Sequence, residues 1–109
     1  MPYLGAFEQL ILFSVLQLGD DAYGVSIREN LEERTRRTVS VGAIYTTLAR
    51  LEERGLVRSR TEKPQGRMGR PRKYYALSRD GARELREAHD AFQSMATGQI
   101  SALDRLAEG

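Results

Sequence analysis

SVGAIYTTLARLEERGLVRSRTEKPQGRMGRPRKYYAL, residues 40–77, is the stretch that decides the fold. Ser40 is a good N-cap, with a hydroxyl able to accept from the unpaired amides of a first helical turn. Val41, Ile44, Leu48 and Leu51 then recur at helical spacing and predict a stripe that faces a core. Ala43, Thr46, Thr47 and Arg50 repeat the same spacing on the other side, and Gly55 sits where a helix is expected to end. Residues 56–61 begin with β-formers and predict a strand. Residues 63–71 hold two prolines and two glycines, which predicts a long hairpin loop. Residues 73–77 form the returning strand, with Tyr75 and Leu77 on one face and Tyr74 and Ala76 on the other.

Charge is concentrated in this segment. The whole chain carries 17 Lys and Arg against 15 Asp and Glu, a net of +2. Residues 58–73 hold Arg58, Arg60, Lys63, Arg67, Arg70, Arg72 and Lys73 against Glu62 alone, a net of +6; the remaining ten cations and fourteen anions give −4. A basic arm on a mildly acidic body localises the electrostatic footprint that phosphate binding needs. The alternative for the same run is a solvated loop.

Outward from this segment, residues 4–18 predict a helix. Leu10, Ile11, Leu12, Phe13, Val15, Leu16 and Leu18 cover nearly its whole circumference, so it must be buried on several sides. In a chain of 109 residues one of those sides is expected to meet a partner chain. Gly19-Asp20-Asp21 stops the helix. Residues 23–37 predict a second helix, with Tyr23, Ile27 and Leu31 in one stripe and charged residues outside it. Ser78 is a further N-cap with Asp80 in the first turn, and the helix it opens is expected to run to about residue 107. Leu85, Ala88, Phe92 and Met95 step along it by three and four, as a coiled seam does, and Leu103 continues the apolar stripe. This helix and the first one, through Leu10 and Phe13, are the expected homodimer interface.

The organisation expected is therefore mainly α with a small β-hairpin. Residues 1–78 form a winged helix-turn-helix and residues 79–109 a long C-terminal dimerisation helix, within one compact unit. Cysteine is absent, which removes disulfides and thiolate metal sites and fits a reducing cytoplasm. The apolar run of residues 10–18 is too short to span a bilayer, and no secretion signal is evident. No cofactor is implied. His89 is the only histidine, and no catalytic set, phosphate-binding glycine loop or carboxylate pair stands out.

The third helix and the hairpin carry the functional reading. Ser40, Gly42, Ala43, Thr46 and Thr47 make a small, hydroxyl-bearing surface that can descend into a major groove and touch base edges or thymine methyls. Arg50 can clamp a phosphate or read guanine. Tyr45 lies at the edge of this face, with either a phosphate contact through its hydroxyl or half-burial against the second helix. Arg67, Arg70, Arg72 and Lys73 are expected to straddle a phosphate backbone, with one arginine free to enter a minor groove. Double-stranded DNA is thus the expected partner. A winged-helix module that binds protein instead is the alternative, and an enzyme is remote on these residue types.

Four segments, taken in order, resemble the PadR family of bacterial transcription regulators: residues 20–24 (DDAYG), 39–48 (VSVGAIYTTL), 51–57 (LEERGLV) and 72–78 (RKYYALS). The chain resembles the branch with a single C-terminal helix. That resemblance implies a homodimer joined by the first and last helices. It also implies a repressor that binds a pseudo-palindromic operator through the third helix and the wing, and release by small aromatic or hydrophobic effectors. Phe92 and Met95 are the residues placed to line a pocket at the dimer centre, with plain interface packing as the alternative. The chain has no Trp to stack on such a ligand.

Overall fold

The computed structural model describes residues 4–63 and 71–109. The elements run α1 (Ala6–Leu18), α2 (Gly24–Thr35), α3 (Val41–Glu53), β1 (Val57–Glu62), β2 (Arg72–Leu77), α4 (Arg79–Ala96) and α5 (Ile100–Glu108), with a 3-10 turn (Gly19–Asp21) between α1 and α2. The strands pair antiparallel in a register from Val57↔Leu77 to Glu62↔Arg72. The outer edge of β2 is covered as well, because Tyr75 N donates to the Ala22 carbonyl at 2.8 Å.

Helices α3 and α4 form where apolar period and side-chain caps agree. Ser40 and Ser78 are the N-caps of α3 and α4, accepting from Ala43 N at 3.1 Å and Gly81 N at 2.9 Å. Such caps contribute about 1 kcal/mol each. Helix α2 ends at Arg36 in the left-handed region, φ 58°. The Glu32 carboxylate then accepts from Val39 N at 3.0 Å and closes the turn into α3. The core collects Ile11, Leu12 and Val15 from α1, Ile27 and Leu31 from α2, Ile44, Leu48 and Leu51 from α3, then Leu56, Val57 and Tyr75 from the hairpin. One polar pair crosses it: Ser14 Oγ donates to Asn30 Oδ1 at 2.7 Å and fixes α1 against α2.

Two expectations about the C-terminal region need correction. It is not one long helix. Helix α4 ends at Ala96, the chain turns through Gly98 at φ 81°, and α5 begins at Ile100. Left-handed backbone is what glycine accepts without a Cβ penalty, so Gly98 marks a real break. Leu85 is also not available to a partner. At 3% exposure it belongs to the core of its own chain, where α4 packs on α1 and β2. Beyond Leu85 the arm has no core: Phe92, Met95, Ile100, Leu103 and Leu106 are 57–80% exposed. The arm lengthens the molecule to 57 × 30 × 20 Å with a radius of gyration of 16.3 Å, against about 13 Å for a compact domain of this size.

Helix α4 is seated by a close backbone approach. A Cβ on Gly81 would overlap the Leu56 carbonyl oxygen, with Leu56 Cα at 3.3 Å. A backbone carbonyl cannot swing aside as a side chain can. Gly81→Ala is therefore expected to cost about 1–3 kcal/mol through overpacking, measured as a lower urea midpoint with unchanged slope. Gly42→Ala, with nothing within 4 Å, is expected to be neutral or stabilising in the same assay.

Candidate nucleic-acid interface

Helix α3 presents two distinct sides. Ile44, Thr47, Leu48 and Leu51 are buried, whereas Ser40, Gly42, Ala43, Tyr45, Thr46, Ala49 and Arg50 are exposed. The outward side is thus small and polar, backed by a stripe that locks the helix to the core. Thr47 departs from the expectation. It is 7% exposed and lies in the apolar arc of Ile44 and Leu48, so its hydroxyl is not offered to a groove.

Tyr45 is half-buried against the second helix. It is 44% exposed, yet its ring rests on the first residue of α2. A Cβ added to Gly24 would overlap the Tyr45 hydroxyl and ring, with Cε1 at 3.0 Å. Gly24 therefore lets α2 approach α3 and leaves the Tyr45 hydroxyl at the seam between the two helices.

The hairpin stands beside α3 and is tied to it. Glu52, near the end of α3, accepts from Ser59 Oγ of β1 at 2.5 Å and pairs with Lys73 Nζ of β2 at 3.3 Å. The Ser59 hydroxyl first, and Lys73 after it, hold the Glu52 carboxyl below its ordinary range, against the opposing effect of burial. Tyr75, on the same face of β2, is pushed upward chiefly by burial. Lys73 is thus drawn inward toward Glu52 and the Tyr75 ring, whose centroid lies 5.7 Å away.

The opposite face of the hairpin carries a row of cations and rings. Arg60 Cζ lies 4.8 Å from the Tyr74 centroid, Tyr74 meets Tyr23 edge-on at 5.5 Å, and Arg72 Cζ lies 4.2 Å from the Tyr23 centroid. Arg60 Nε pairs with Glu62 at 2.9 Å, and Arg60 Nη2 donates to the Asp20 carbonyl at 3.2 Å. Arg72 is exposed, and among the described residues no carboxylate lies within 4.0 Å of it. Arg67 and Arg70 lie outside the described residues.

Of the residues expected at the interface, Ser40, Gly42, Ala43, Tyr45, Thr46, Arg50 and Arg72 are exposed; Tyr23, Gly24, Glu52, Arg60 and Tyr74 are additional residues that the fold brings beside them. Strand alternation alone places Arg60, Tyr74 and Arg72 on one face and Lys73 and Tyr75 on the other, so part of that signal was present. Among the described residues no helix is long and apolar enough to cross a membrane, and no group of three or more His, Asp or Glu is placed to hold a metal.

Three core helices, a paired hairpin with a covered edge, and an exposed small-residue helix face define a winged helix. The chain belongs to the transcriptional regulator PadR-like family, which residues 12–87 match. Among solved structures it is similar to a PadR family transcriptional regulator from Eggerthella lenta, at 27% identity over 87% of this chain and 81% of that one, TM-score 0.69. It is also similar to a PadR-like transcriptional regulator from Bacillus cereus, at 26% identity over 96% of this chain and 94% of that one, TM-score 0.71. The fold is shared with a winged-helix DNA-binding protein from STIV, at 22% identity over 89% of this chain and 98% of that one, TM-score 0.71. No curated protein matches the chain. The fold is that of a winged helix, and the family is one of transcriptional regulators.

The Glu52 contacts give a pH signature. A carboxyl whose value is lowered on folding adds stability above its unfolded value, and that stability is lost as pH falls through the folded one. Glu52→Gln is expected to cost about 1 kcal/mol at neutral pH, since the group is partly exposed. The gap from wild type should close as pH falls below the ordinary carboxyl value of 4.5 and through the lowered folded one, read from urea unfolding at each pH.

Proposed function

We propose that the protein is a homodimeric repressor that binds a pseudo-palindromic operator in cytoplasmic DNA. Helix α3 enters the major groove by its exposed side, with Ser40, Gly42, Ala43 and Thr46 against the bases and Arg50 on guanine or a phosphate. Tyr45 offers its hydroxyl to the phosphate that crosses the α2–α3 seam. Arg72, with Arg67 and Arg70, follows the phosphate backbone beside the groove. Lys73 contributes charge at closer range to the protein, because Glu52 competes for it.

The observation that carries this reading is the two-sided character of α3. A helix whose only large exposed side chains are Tyr45, Arg50 and, at its last residue, Glu53, held by Ile44, Leu48 and Leu51, has a small leading surface suited to groove insertion. The dimer rests on a second observation. Phe92, Met95, Leu103 and Leu106 line one open groove of about 440 Å³ on an arm without a core of its own. A nine-residue helix such as α5 is marginal alone in water, and exposed apolar patches of this kind mark interfaces. Leu10, Phe13 and Ala88 are partly buried and extend the surface along α1 and α4. Any small hydrophobic or aromatic effector is placed in the groove of Phe92 and Met95.

In the dimer two recognition helices meet successive major grooves about 34–36 Å apart. Selecting bound fragments from genomic DNA at physiological salt tests the whole reading. Enrichment of sites with half-sites one helical turn apart is expected, and capture of no fragment favours the protein-binding alternative. Thr46→Ala and Arg50→Ala are each expected to lower the preference for the selected site over random duplex by about 1–3 kcal/mol, by competition binding. An equal loss on both duplexes removes these residues from base reading. Phe92→Asp is expected to shift the protein to monomer in sedimentation, with its helical content largely kept.

A further inference from the structure

The four-member row of Arg60, Tyr74, Tyr23 and Arg72 spans three segments of chain: β1, β2 and the turn that precedes α2. Its two arginines are not equivalent. Arg60 spends its donors inside the protein, on the Glu62 carboxylate and the Asp20 carbonyl. Arg72 sits over the Tyr23 ring with the Tyr74 side chain as its hydrogen-bonding neighbour, and it has no ion-pair partner among the described residues. A guanidinium has five N–H donors, so one held by a ring and a tyrosine still keeps donors with which arginine takes a phosphate. The turn and the hairpin are also locked by backbone, through the hydrogen bond from Tyr75 N to the Ala22 carbonyl, one residue from Tyr23.

We infer that Tyr23 and Tyr74 are positioning residues for DNA binding: they hold Arg72 pre-oriented on the outer face of the wing, with Arg60 as the internal anchor. This rests on the DNA-binding reading above. A free arginine loses rotamer freedom when it grips a phosphate. An arginine already laid on a ring has lost much of that freedom on folding, so its contact is stronger for the same charge. The tyrosines touch no nucleic acid in this scheme; they act through Arg72.

The test is fluorescence anisotropy of a labelled duplex across a salt series, with Tyr23→Phe, Tyr23→Leu, Arg72→Gln and the double variant Tyr23→Leu/Arg72→Gln. Arg72→Gln should weaken binding to all sequences and reduce the slope of log affinity against log salt by about one. Tyr23→Leu should weaken binding about two- to five-fold and reduce the slope in the same direction. Tyr23→Phe, which keeps the ring, should match wild type. The double variant should be no weaker than Arg72→Gln alone. Full additivity of the two losses overturns the inference. So does a Tyr23→Leu protein that shows only a smaller active fraction, with wild-type affinity and slope, because that is loss of stability and not of positioning. Failure of the wild-type chain to bind any duplex overturns the DNA reading and this inference with it, whereas wild-type binding with additive losses overturns this inference alone.

Discussion

The fold turns on one residue's backbone, that of Leu56. Its amide donates to the Leu51 carbonyl at 2.9 Å, and its own carbonyl accepts from Ser78 N at 3.0 Å. Ser78 Oγ donates to the neighbouring Gly55 carbonyl at 2.6 Å, and Gly81 is pressed against the Leu56 carbonyl where no side chain fits. The Leu56 side chain meanwhile sits in the core at 1% exposure. The end of α3, the start of β1, the end of β2 and the first turn of α4 thus converge on two adjacent peptide units. Arg54 adds polar ties around the same point, reaching Glu84 of α4 at 3.1 Å and Glu8 of α1 at 3.8 Å. The helix proposed to read DNA, the base of the hairpin and the first turn of α4 are thus joined at one close-packed point.

Much of this was legible in the residues. Ser40 and Ser78 announced their helices, because a capping hydroxyl is a local device whose partners lie three residues on. The Ile44, Leu48 and Leu51 stripe, and the inward Tyr75, followed from period alone. Thr47 was misread although the pattern held the answer. It stands three residues after Ile44 and four before Leu51, inside the apolar arc, and its hydroxyl drew attention outward. The break at Gly98 was visible only as a weak spot in an apolar stripe, since a stripe can continue across a turn when a partner covers both halves. Glu52 and Tyr23 were out of reach for another reason. Their partners, Lys73 and Arg72, lie across the fold, and sequence spacing carries no information on such pairs.

The same long-range contacts revise the electrostatics. A formal net of +6 in residues 58–73 suggests an arm wholly given to phosphate. In the folded protein Lys73 answers to Glu52 and Arg60 to Glu62 and the Asp20 carbonyl. Charges engaged in this way still attract a polyanion at a distance, but their desolvation and geometry are committed to the hairpin. What they give is a stiff base for the wing. A stiff base makes the charges that do remain available, Arg58, Lys63 and Arg72 among the described residues, worth more per contact.

Close packing near the proposed DNA face contrasts with incompleteness at the other end. Helix α4 is anchored by Gly81 and Leu85 within its first two turns, with Glu84 and Ala88 partly buried beside them, and α5 has no buried residue. Its apolar residues are therefore best satisfied when a second chain supplies the missing wall. In the proposed dimer, ordering of this arm and pairing of the two recognition helices become one event, because the arm leads back to Leu56 and from there to α3. Spacing of the two DNA-reading faces is then set by how two arms pack, not by flexibility near the DNA. Any change that alters packing around Phe92 and Leu103 would be felt as a change in the distance between half-sites, with no residue of the DNA face touched. That gives a chain of this size a route from its apolar arm to its DNA face that needs only a shift in how the two subunits meet.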